Sequence, residues 1–377
     1  MTVTRLPAAS RGTRLPALDL FRFVAALGVA VFHLVAVAGH GGVQIWGSPP
    51  DQVFGWFYRI AAYGWVGVPF FFMISGFVIC LTAWGRAPEK YLISRFVRLF
   101  PALWICAAIT TLVTAVYPRV FGPVPLRALP ANLFLLEDPL GTPRIDDVYW
   151  TLWLELKFYL LFLVVVWIGV TYRNVLAFCL IWSLASILAA EIGQPWLDAL
   201  VMRGNSHYFV AGIAFYLIHR SGPRPELWLL IGLSWALSIH YYQGNPLPAD
   251  KGMSYAPSSL LITACFGALA LLSLHRLDGI RWRRLAVLGT ASYPLYLLHY
   301  ATGFAAIHFV STHTTIGPVP LLVLALVVLT GVAILVSRRL EQPVAARLNR
   351  AFEPVTRPAR TRSRRPRPAP GHATPAC

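Results

Sequence analysis

The sequence predicts an all-helical integral membrane protein, with about ten transmembrane helices packed in one bundle. Three observations predict this fold class. Hydrophobic residues make up 57% of the 377 positions and charged residues 12%, whereas soluble domains average about 45–50% and about 25%. Apolar runs recur at close to the roughly 20 residues that a helix needs to cross a bilayer. Basic residues cluster between these runs, which is typical of membrane topology signals and not of nucleic-acid binding.

Ten predicted spans follow one another along the chain, separated by short joints that are charged or rich in glycine and proline. The spans are residues 17–38, 61–83, 96–117, 150–170, 174–191, 205–219, 226–242, 257–274, 286–309 and 318–337. Together they form one predicted transmembrane domain, residues 17–343. A cytoplasmic segment, residues 1–16, precedes it, and a disordered basic tail rich in arginine and proline, residues 344–377, follows it.

The placement of lysine and arginine predicts the orientation of the spans. The formal net charge is +17. With the N-terminus in the cytoplasm, 24 of the 32 basic residues fall in inside segments and six in outside segments. Because cytoplasmic loops carry the excess of basic residues, both termini are predicted to be cytoplasmic, in a multi-pass protein of the cell (inner) membrane. A cleaved signal peptide is the alternative for the first run, but Arg22 interrupts that run.

Two ionisable residues, Arg22 and His33, lie in the first predicted span. They are eleven residues apart, so on a regular helix they project from one face, about 16 Å apart along the axis. Ionisable groups inside a membrane are costly and mark functional sites. One helix face then holds a fixed cation near the inner surface and a titratable base deeper in the membrane. The alternative is a snorkelling arginine and a core histidine that bonds to a neighbouring helix.

The fourth predicted span begins with an aromatic segment, Trp150–Tyr159, that contains Glu155 and Lys157. Glu155 lies about one and a half turns into the helix, at a depth comparable with that of His33. A carboxylate there needs a partner, and pairing with His33 would raise the basicity of the histidine and fix its tautomer. An interfacial pair between Glu155 and Lys157 is the alternative.

Further polar residues lie in or beside the other spans. Arg95 and Arg98 are i,i+3 neighbours at the start of the third span. Two guanidinium groups there suit phosphate binding, although orientation alone also places arginines at such ends. Ser75 lacks the glycine-flanked turn of a nucleophilic serine, so we expect it to serve helix packing. His299, one turn after Tyr296, is expected to line a cavity or to bond across helices.

Six short motifs, in order along the chain, resemble the motifs of the membrane-bound acyltransferase 3 family. They are Leu18-Asp-Leu-Phe-Arg22 with His33, Phe70–Phe77, Arg95-x-x-Arg98 with Pro101, Trp150–Tyr159, Leu288–His299 and Glu341-x-Pro343. The order of the six motifs is specific, although no single motif is decisive. Two departures occur: Thr151 replaces the usual serine, and Pro294, which we expect to kink its helix, lies inside the fifth motif.

The resemblance implies transfer of an acyl group, expected to be acetyl from acetyl-CoA, to a hydroxyl of a carbohydrate or related acceptor such as a cell-surface polysaccharide. It makes His33 the general base and Glu155 the residue that orients it. The implied partners are the acyl-CoA donor, the glycoconjugate acceptor and the lipid bilayer, with no nucleic acid. The residues expected to bind substrate or acyl-CoA are Arg22, Arg95, Arg98, Trp150, Tyr296 and His299.

A proton-coupled transporter is the alternative function from the residues alone, since intramembrane Arg, His and Glu suit such a carrier. No internal repeat between the two halves supports it. A purely structural membrane protein would leave the intramembrane ionisable residues without a role. The five cysteines have neither metal-ligand nor disulfide-framework spacing, and the sequence predicts no metal and no bound cofactor.

Overall fold

The computed structural model describes residues 15–38, 44–243, 254–280, 282 and 285–356, and the described elements are all helices. The predicted cytoplasmic segment, residues 1–16, lies outside this range except for its last two residues. The helices are α1 Pro16–Val31, α2 Pro50–Phe54, α3 Trp56–Ala61, α4 Gly67–Ala83, α5 Pro88–Val116, α6 Leu129–Leu133, α7 Glu137–Leu140, α8 Trp150–Ile168, α9 Tyr172–Ile192, α10 Pro195–Val201, α11 Ser206–Ser221, α12 Pro225–Gln243, α13 Tyr255–Ser273, α14 Leu285–Leu298, α15 Ala301–His313, α16 Pro318–Val336 and α17 Gln342–Thr356.

Short stretches of other helix types join or extend these elements. Two are π-helical, Phe32–Val37 after α1 and Ser337–Glu341 after α16. Single 3-10 turns lead into α4, α6 and α8. The first π-helical stretch contains His33, so the regular geometry assumed for the spacing of Arg22 and His33 ends two residues before the histidine. Such π-turns are rare, and they are frequently found at functional sites.

Seven helices of the described residues are long and apolar enough to cross a membrane. They cover Pro16–Val37, Trp56–Ala83, Pro88–Val116, Asp147–Ile168, Tyr172–Ile192, Tyr255–Ser273 and Pro318–Glu353. The other three predicted spans are also helical but shorter, more polar or broken, namely α11, α12 and the pair α14 and α15. The all-helical membrane fold is confirmed, whereas the count of ten spans stays a prediction.

The ninth predicted span is broken at His299 and Tyr300. Helix α14 ends at Leu298 and α15 begins at Ala301, with Tyr300 at φ −83° and ψ −86° between them. Pro294, expected to kink this span, lies inside α14 without ending it. The break falls instead where the backbone carbonyl and amide groups find partners outside the helix.

The bundle core depends on close helix crossings at glycines. Helices α4 and α11 approach so closely that a Cβ atom on Gly76 would lie 2.2 Å from the carbonyl oxygen of Phe209. A Cβ on Gly212 would lie 1.9 Å from the carbonyl oxygen of Met73. Helices α1 and α14 meet in the same way, because Gly289 makes room for the side chain of Asp19. Small residues let membrane helices approach at this distance.

The bundle has two chemically different ends. The basic end carries the starts of α1 and α5 and the helix α17. The loop end carries residues 118–149, which contain α6 and α7. Helix α5 runs from the basic end to the loop end, and α8 runs back.

The predicted disordered tail is wrong for its first part. The chain continues as α17 to Thr356, because Val344, Leu348 and Phe352 recur at helical spacing and are partly buried. Phe352 packs edge-to-face on Phe96 of α5. The rest of the tail, residues 357–377, lies outside the described residues.

Candidate active site

The centre of the bundle holds a cavity of about 280 Å³ between α1, α4, α5, α8 and α14. Its wall carries three arginines, one carboxylate and several hydroxyl groups among apolar side chains. The polar residues that line it are Arg22, Ser75, Thr82, Arg95, Arg98, Thr151, Glu155, Tyr159, Ser292, Tyr293 and Tyr296. Five of the eight predicted site residues therefore meet in one cavity, although they come from four helices.

Arg95 is buried in the wall of this cavity, with 8% of its surface exposed. Its guanidinium carbon lies 5.9 Å from the ring centre of Tyr91 and 5.7 Å from that of Tyr159. One terminal nitrogen donates to Ser94 Oγ at 2.9 Å, whereas Nε has no hydrogen-bond partner among the described residues. A buried cation held by two aromatic rings and an unused N–H is a ready binding group for an anion.

Arg98 lies at the basic end of the cavity. Its guanidinium donates to the carboxylate of Glu341 at 3.4 Å and lies 5.2 Å from the ring centre of Tyr293. Arg98 also lines a second, more open cavity of about 500 Å³, to which Arg86 and Lys90 contribute two further cations. Because Arg98 lines both cavities, basic side chains extend from the basic end into the bundle.

Glu155 lies inside the central cavity and is held by two hydroxyl groups. Ser75 Oγ donates to its Oε1 at 2.9 Å, and the Tyr159 hydroxyl donates to the same oxygen at 2.5 Å. The carboxylate also acts electrostatically on Arg22. Ser75 thus does more than pack, because it holds the one carboxylate that lines this cavity.

The predicted pairing of Glu155 with His33 is wrong. His33 does not line the cavity that contains Glu155, and its ring meets His299 instead. The predicted pairing of Glu155 with Lys157 fails as well, because Lys157 Nζ donates to the carbonyl oxygen of Ala199 at 2.8 Å. Both predictions used only the position of each residue along its helix. The rotation of α8 about its own axis, which position along the helix does not give, turns Glu155 toward Ser75.

His33 and His299 form a hydrogen-bonded pair, with 2.9 Å between Nδ1 of His33 and Nε2 of His299. Nδ1 of His299 lies 2.7 Å from the carbonyl oxygen of Tyr296. Because a carbonyl oxygen only accepts, this nitrogen carries the hydrogen, and Nε2 of neutral His299 is an acceptor. It therefore accepts from Nδ1–H of His33, which also lies 3.0 Å from the carbonyl oxygen of Val29, so the two acceptors share this hydrogen. The lone pair of His33 then lies on Nε2, which makes that nitrogen a base.

Tyr296 connects the histidine pair to the central cavity. Its ring lines the cavity, its carbonyl oxygen accepts from His299, and its hydroxyl hydrogen-bonds Thr151 at 2.8 Å. The tyrosine thus touches both parts of the site. Trp150, by contrast, is 39% exposed and lies outside the cavity wall.

The loop end contributes two buried carboxyl groups that the sequence did not predict, Asp146 and Glu137, and Asp146 bonds Ala301, two residues after His299. Burial raises the pKa of Asp146 to about 7, against two backbone N–H bonds that lower it. Burial also raises the pKa of Glu137 to about 7. Asp146 stands directly before the turn that opens α8, so the available signal was an acidic residue at a helix start, the usual capping position.

Within the described part of the chain, no group of three or more His, Cys, Asp or Glu side chains is placed to hold a metal ion. The site is therefore built from arginines, one carboxylate, hydroxyl groups and two imidazoles. Such a set suits an anionic substrate and the transfer of a proton.

Comparison with known proteins shows which family the chain belongs to. A family model described as an acyltransferase domain matches residues 15–338. The chain belongs to the acyltransferase 3 family. The match spans all the helices that build the cavity and the histidine pair. Membership favours an acyltransferase over the transporter alternative.

This acyltransferase is also similar to Acyltransferase MdmB of Streptomyces mycarofaciens. The two are 27% identical over 328 residues, which is 77% of this chain and 79% of the relative. No solved structure matches the chain.

Proposed function

We propose that this membrane acyltransferase moves an acetyl group from acetyl-CoA to a hydroxyl of a carbohydrate or related acceptor, such as a cell-surface polysaccharide. The observation that carries the proposal is the His33–His299 pair, which Tyr296 connects to a cavity lined by three arginines. Acyl transfer to a hydroxyl needs both parts: cations for the anionic donor, and a base for the weak nucleophile.

The donor enters from the basic end. Coenzyme A carries several phosphate charges, and the second cavity offers Arg86, Lys90 and Arg98 at its wall. The narrower part of the donor then extends past Arg95 and Arg98 into the central cavity. Bidentate guanidinium groups bind phosphate oxygens with two parallel hydrogen bonds, so they fix the donor's orientation as well as its charge.

His33 acts as the general base. Its Nε2 takes the proton of the acceptor hydroxyl while the hydroxyl oxygen attacks the thioester carbonyl carbon. The carbon–oxygen bond forms, the carbon–sulfur bond breaks, and the proton passes on to the leaving thiolate. His299 supports this step because its Nε2 accepts from His33 Nδ1–H, which fixes the tautomer and stabilises the imidazolium that forms.

Arg22 and Glu155 serve the donor side of the reaction. Arg22 is the lining arginine on the helix that carries His33, and it balances the charge that develops on the thioester oxygen. Glu155 offsets part of the positive charge of the three arginines and fixes the hydroxyl groups of Ser75 and Tyr159. Trp150, which is exposed at the start of α8 and outside the cavity wall, would contact the acceptor at the loop end.

The basic end faces the cytoplasm in this proposal, and both termini lie there, in the cell (inner) membrane. Two facts support the orientation: 24 of the basic residues fall on that side, and acetyl-CoA is a cytoplasmic metabolite. The acceptor then approaches from the loop end, and the acetyl group is passed along the central cavity.

The donor site is tested by changing Arg95 and Arg98 together to alanine. The double variant should raise the KM for acetyl-CoA at least about tenfold, because hydrogen bonds to charged groups contribute about 1.5–3 kcal/mol each. The matched control is Arg338→Ala with Arg339→Ala, two exposed arginines at the same end of the bundle. The assay measures transfer of labelled acetyl from acetyl-CoA to the glycan fraction of the expressing cells by the purified protein.

Two results would contradict the proposal. Equal, small effects of the two double variants would show that Arg95 and Arg98 only set orientation. Absence of acetyl transfer by the folded wild-type protein would reject the proposed reaction itself. A double change to lysine separates charge from geometry, since lysine keeps the charge but not the forked hydrogen bonds.

A further inference from the structure

Asp146 caps the starts of two helices at once. It is 2% exposed, and its Oδ1 accepts from the backbone N–H of Val148 at 3.2 Å, in the turn that opens α8. Its Oδ2 accepts from the backbone N–H of Ala301 at 3.0 Å, the first residue of α15. The first N–H groups of a helix have no partner within it, and Tyr300, which precedes α15, supplies no side-chain cap.

The segment that contains Asp146 holds the broken span on both sides of His299. On the α14 side, Thr151 hydrogen-bonds the Tyr296 hydroxyl at 2.8 Å. On the α15 side, Asp146 holds Ala301. Residues 146–151 therefore form hydrogen bonds with Tyr296, three residues before His299, and with Ala301, two residues after it.

The contacts of this segment also extend to the ring of His33, through Tyr300. Tyr300 lies between His299 and Ala301, and its ring packs edge-on against His33, with 5.0 Å between centroids. Its hydroxyl donates to the carboxylate of Asp147 at 3.5 Å. A shift of Ala301 would thus move two of the rings that contact His33, those of His299 and Tyr300.

We propose that Asp146 is a positioning residue for the His33–His299 pair, and that it does this as an ionised carboxylate that caps α8 and α15 together. The proposal rests on the proposed function, because it assigns a reason for the exact placement of the general base. Asp146 touches neither donor nor acceptor. It acts by setting where the break in the ninth span lies against α8.

The surroundings of Asp146 make its ionisation sensitive to pH in the neutral range. Burial raises its pKa, the two N–H bonds lower it and the negative charge of Asp147 raises it, and together these causes bring the pKa to about 7. The other titratable groups that act on it are acids without positive charge in the described part of the chain: the phenols of Tyr149, Tyr296 and Tyr300 and the thiol of Cys106.

The direction of the pH effect follows from the two hydrogen bonds. Below about pH 7 the carboxyl group is protonated, and one of its oxygens becomes a hydroxyl that accepts poorly. One of the two caps then weakens, so the hydrogen bond from Ala301 N–H or from Val148 N–H is weakened as pH falls. At higher pH both caps are intact.

The first test is hydrogen–deuterium exchange on the purified full-length protein with Asp146→Asn. The amide keeps the shape of the side chain but has only one acceptor oxygen, so it reproduces the protonated state. Deuterium uptake by peptides that cover Val148 or residues 299–305 should rise severalfold at pH 8, after correction for intrinsic exchange. Glu137→Gln is the matched control, since it changes another buried carboxyl group of the same loop that has no hydrogen-bond partner among the described residues.

The second test is kinetic and uses acetyl-CoA with the glycan fraction as acceptor. Asp146→Asn should lower kcat by about 10- to 100-fold and leave the KM for acetyl-CoA within about twofold, since misplacing a reacting group by about 1 Å costs about 10²-fold. In the wild type, protonation of Asp146 and protonation of the general base each lower the rate as pH falls. In the variant only protonation of the base does so, so the acid limb becomes less steep.

The outcomes separate this proposal from the proposed function. Wild-type uptake at Val148 and at 299–305 in Asp146→Asn, or an unchanged acid limb, would overturn the positioning role. Equal changes in Glu137→Gln would overturn it too, because they would reflect general loosening of the loop. If the wild type transfers no acetyl group, the proposed function fails, and the exchange measurement still decides whether Asp146 holds the break.

Discussion

At the scale of single residues, the sequence predicted which side chains matter better than it predicted their partners. Arg22, His33 and Glu155 stand out because an ionisable group in an apolar run is costly to bury. The depth of each residue could be counted along its own helix. Because His33 and Glu155 lie at comparable depths, they were predicted to form a pair. The actual partners, His299 and Ser75, depend on how each helix is rotated about its own axis, which a single sequence does not encode locally.

The contacts of Glu155 predict a donor-side effect for Glu155→Gln. The amide keeps an acceptor oxygen for Ser75 and Tyr159 but removes the charge that balances Arg22. We expect the KM for acetyl-CoA to change by about tenfold, with kcat affected less and the acid limb of the pH profile unchanged, since one charged contact contributes about 1.5–3 kcal/mol. Ser75→Ala, which removes one donor to the same oxygen, should change KM in a smaller degree.

Steady-state kinetics over a range of acetyl-CoA concentrations and pH values checks this expectation. A loss confined to kcat, together with a shifted acid limb, would mean that Glu155 acts on the base. The original pairing of Glu155 with His33 would then describe the working enzyme better than the contacts found here.

At the scale of elements, helix positions were predictable and helix irregularities were not. Each of the ten predicted spans coincides with a helix or a helix pair, because apolar length is a strong local signal. The break at His299 is held by hydrogen bonds from Asp146 and Thr151, about 150 residues earlier in the chain. Pro294, the local breaker, is accommodated within α14. Distant partners, and not local propensity, therefore decide where this span opens.

The crossing of α4 and α11 predicts a strong stability effect at Gly212. A Cβ atom there would meet backbone atoms of Met73 and Phe77 at 1.9–2.9 Å, and backbone cannot move aside as a side chain can. Gly212→Ala should therefore destabilise the protein by about 1–3 kcal/mol or more. Gly232→Ala on α12 is the control, because nothing lies within 4 Å of its Cβ and alanine favours a helix by about 1 kcal/mol over glycine.

Thermal unfolding of the detergent-solubilised variants measures both changes. The Tm should fall for Gly212→Ala and stay level or rise for Gly232→Ala. Similar Tm values for the two variants would contradict the close approach of α4 and α11.

At the scale of the whole molecule, composition, the length of the apolar runs and the placement of basic residues indicated the all-helical membrane class, and the family match over residues 15–338 agrees with the order of the six motifs. The structure adds that the two ends of the bundle carry different ionisable side chains. Arginines and Lys90 line the basic end, and the histidine pair, with Asp146 bonded to the first residue of α15, lies toward the loop end. In the proposed reaction, donor and acceptor approach from opposite ends of the bundle.

We propose that His33 is the general base of this acyltransferase, and single-turnover transfer by His33→Gln tests this role most directly. Glutamine keeps similar bulk and some hydrogen bonding with His299 but takes no proton. His313→Gln, which changes an exposed histidine at the end of α15, is the control. Labelled acetyl-CoA is mixed with excess purified protein and the glycan acceptor, and donor binding is measured in parallel.

We expect His33→Gln to bind acetyl-CoA like the wild type, because the arginines of the two cavities are intact, and to transfer the acetyl group about 10²–10⁴-fold more slowly. His313→Gln should transfer at the wild-type rate. Transfer by His33→Gln at near the wild-type rate would contradict the account, since His33 would then be a core histidine bonded to His299 and the base would be another group.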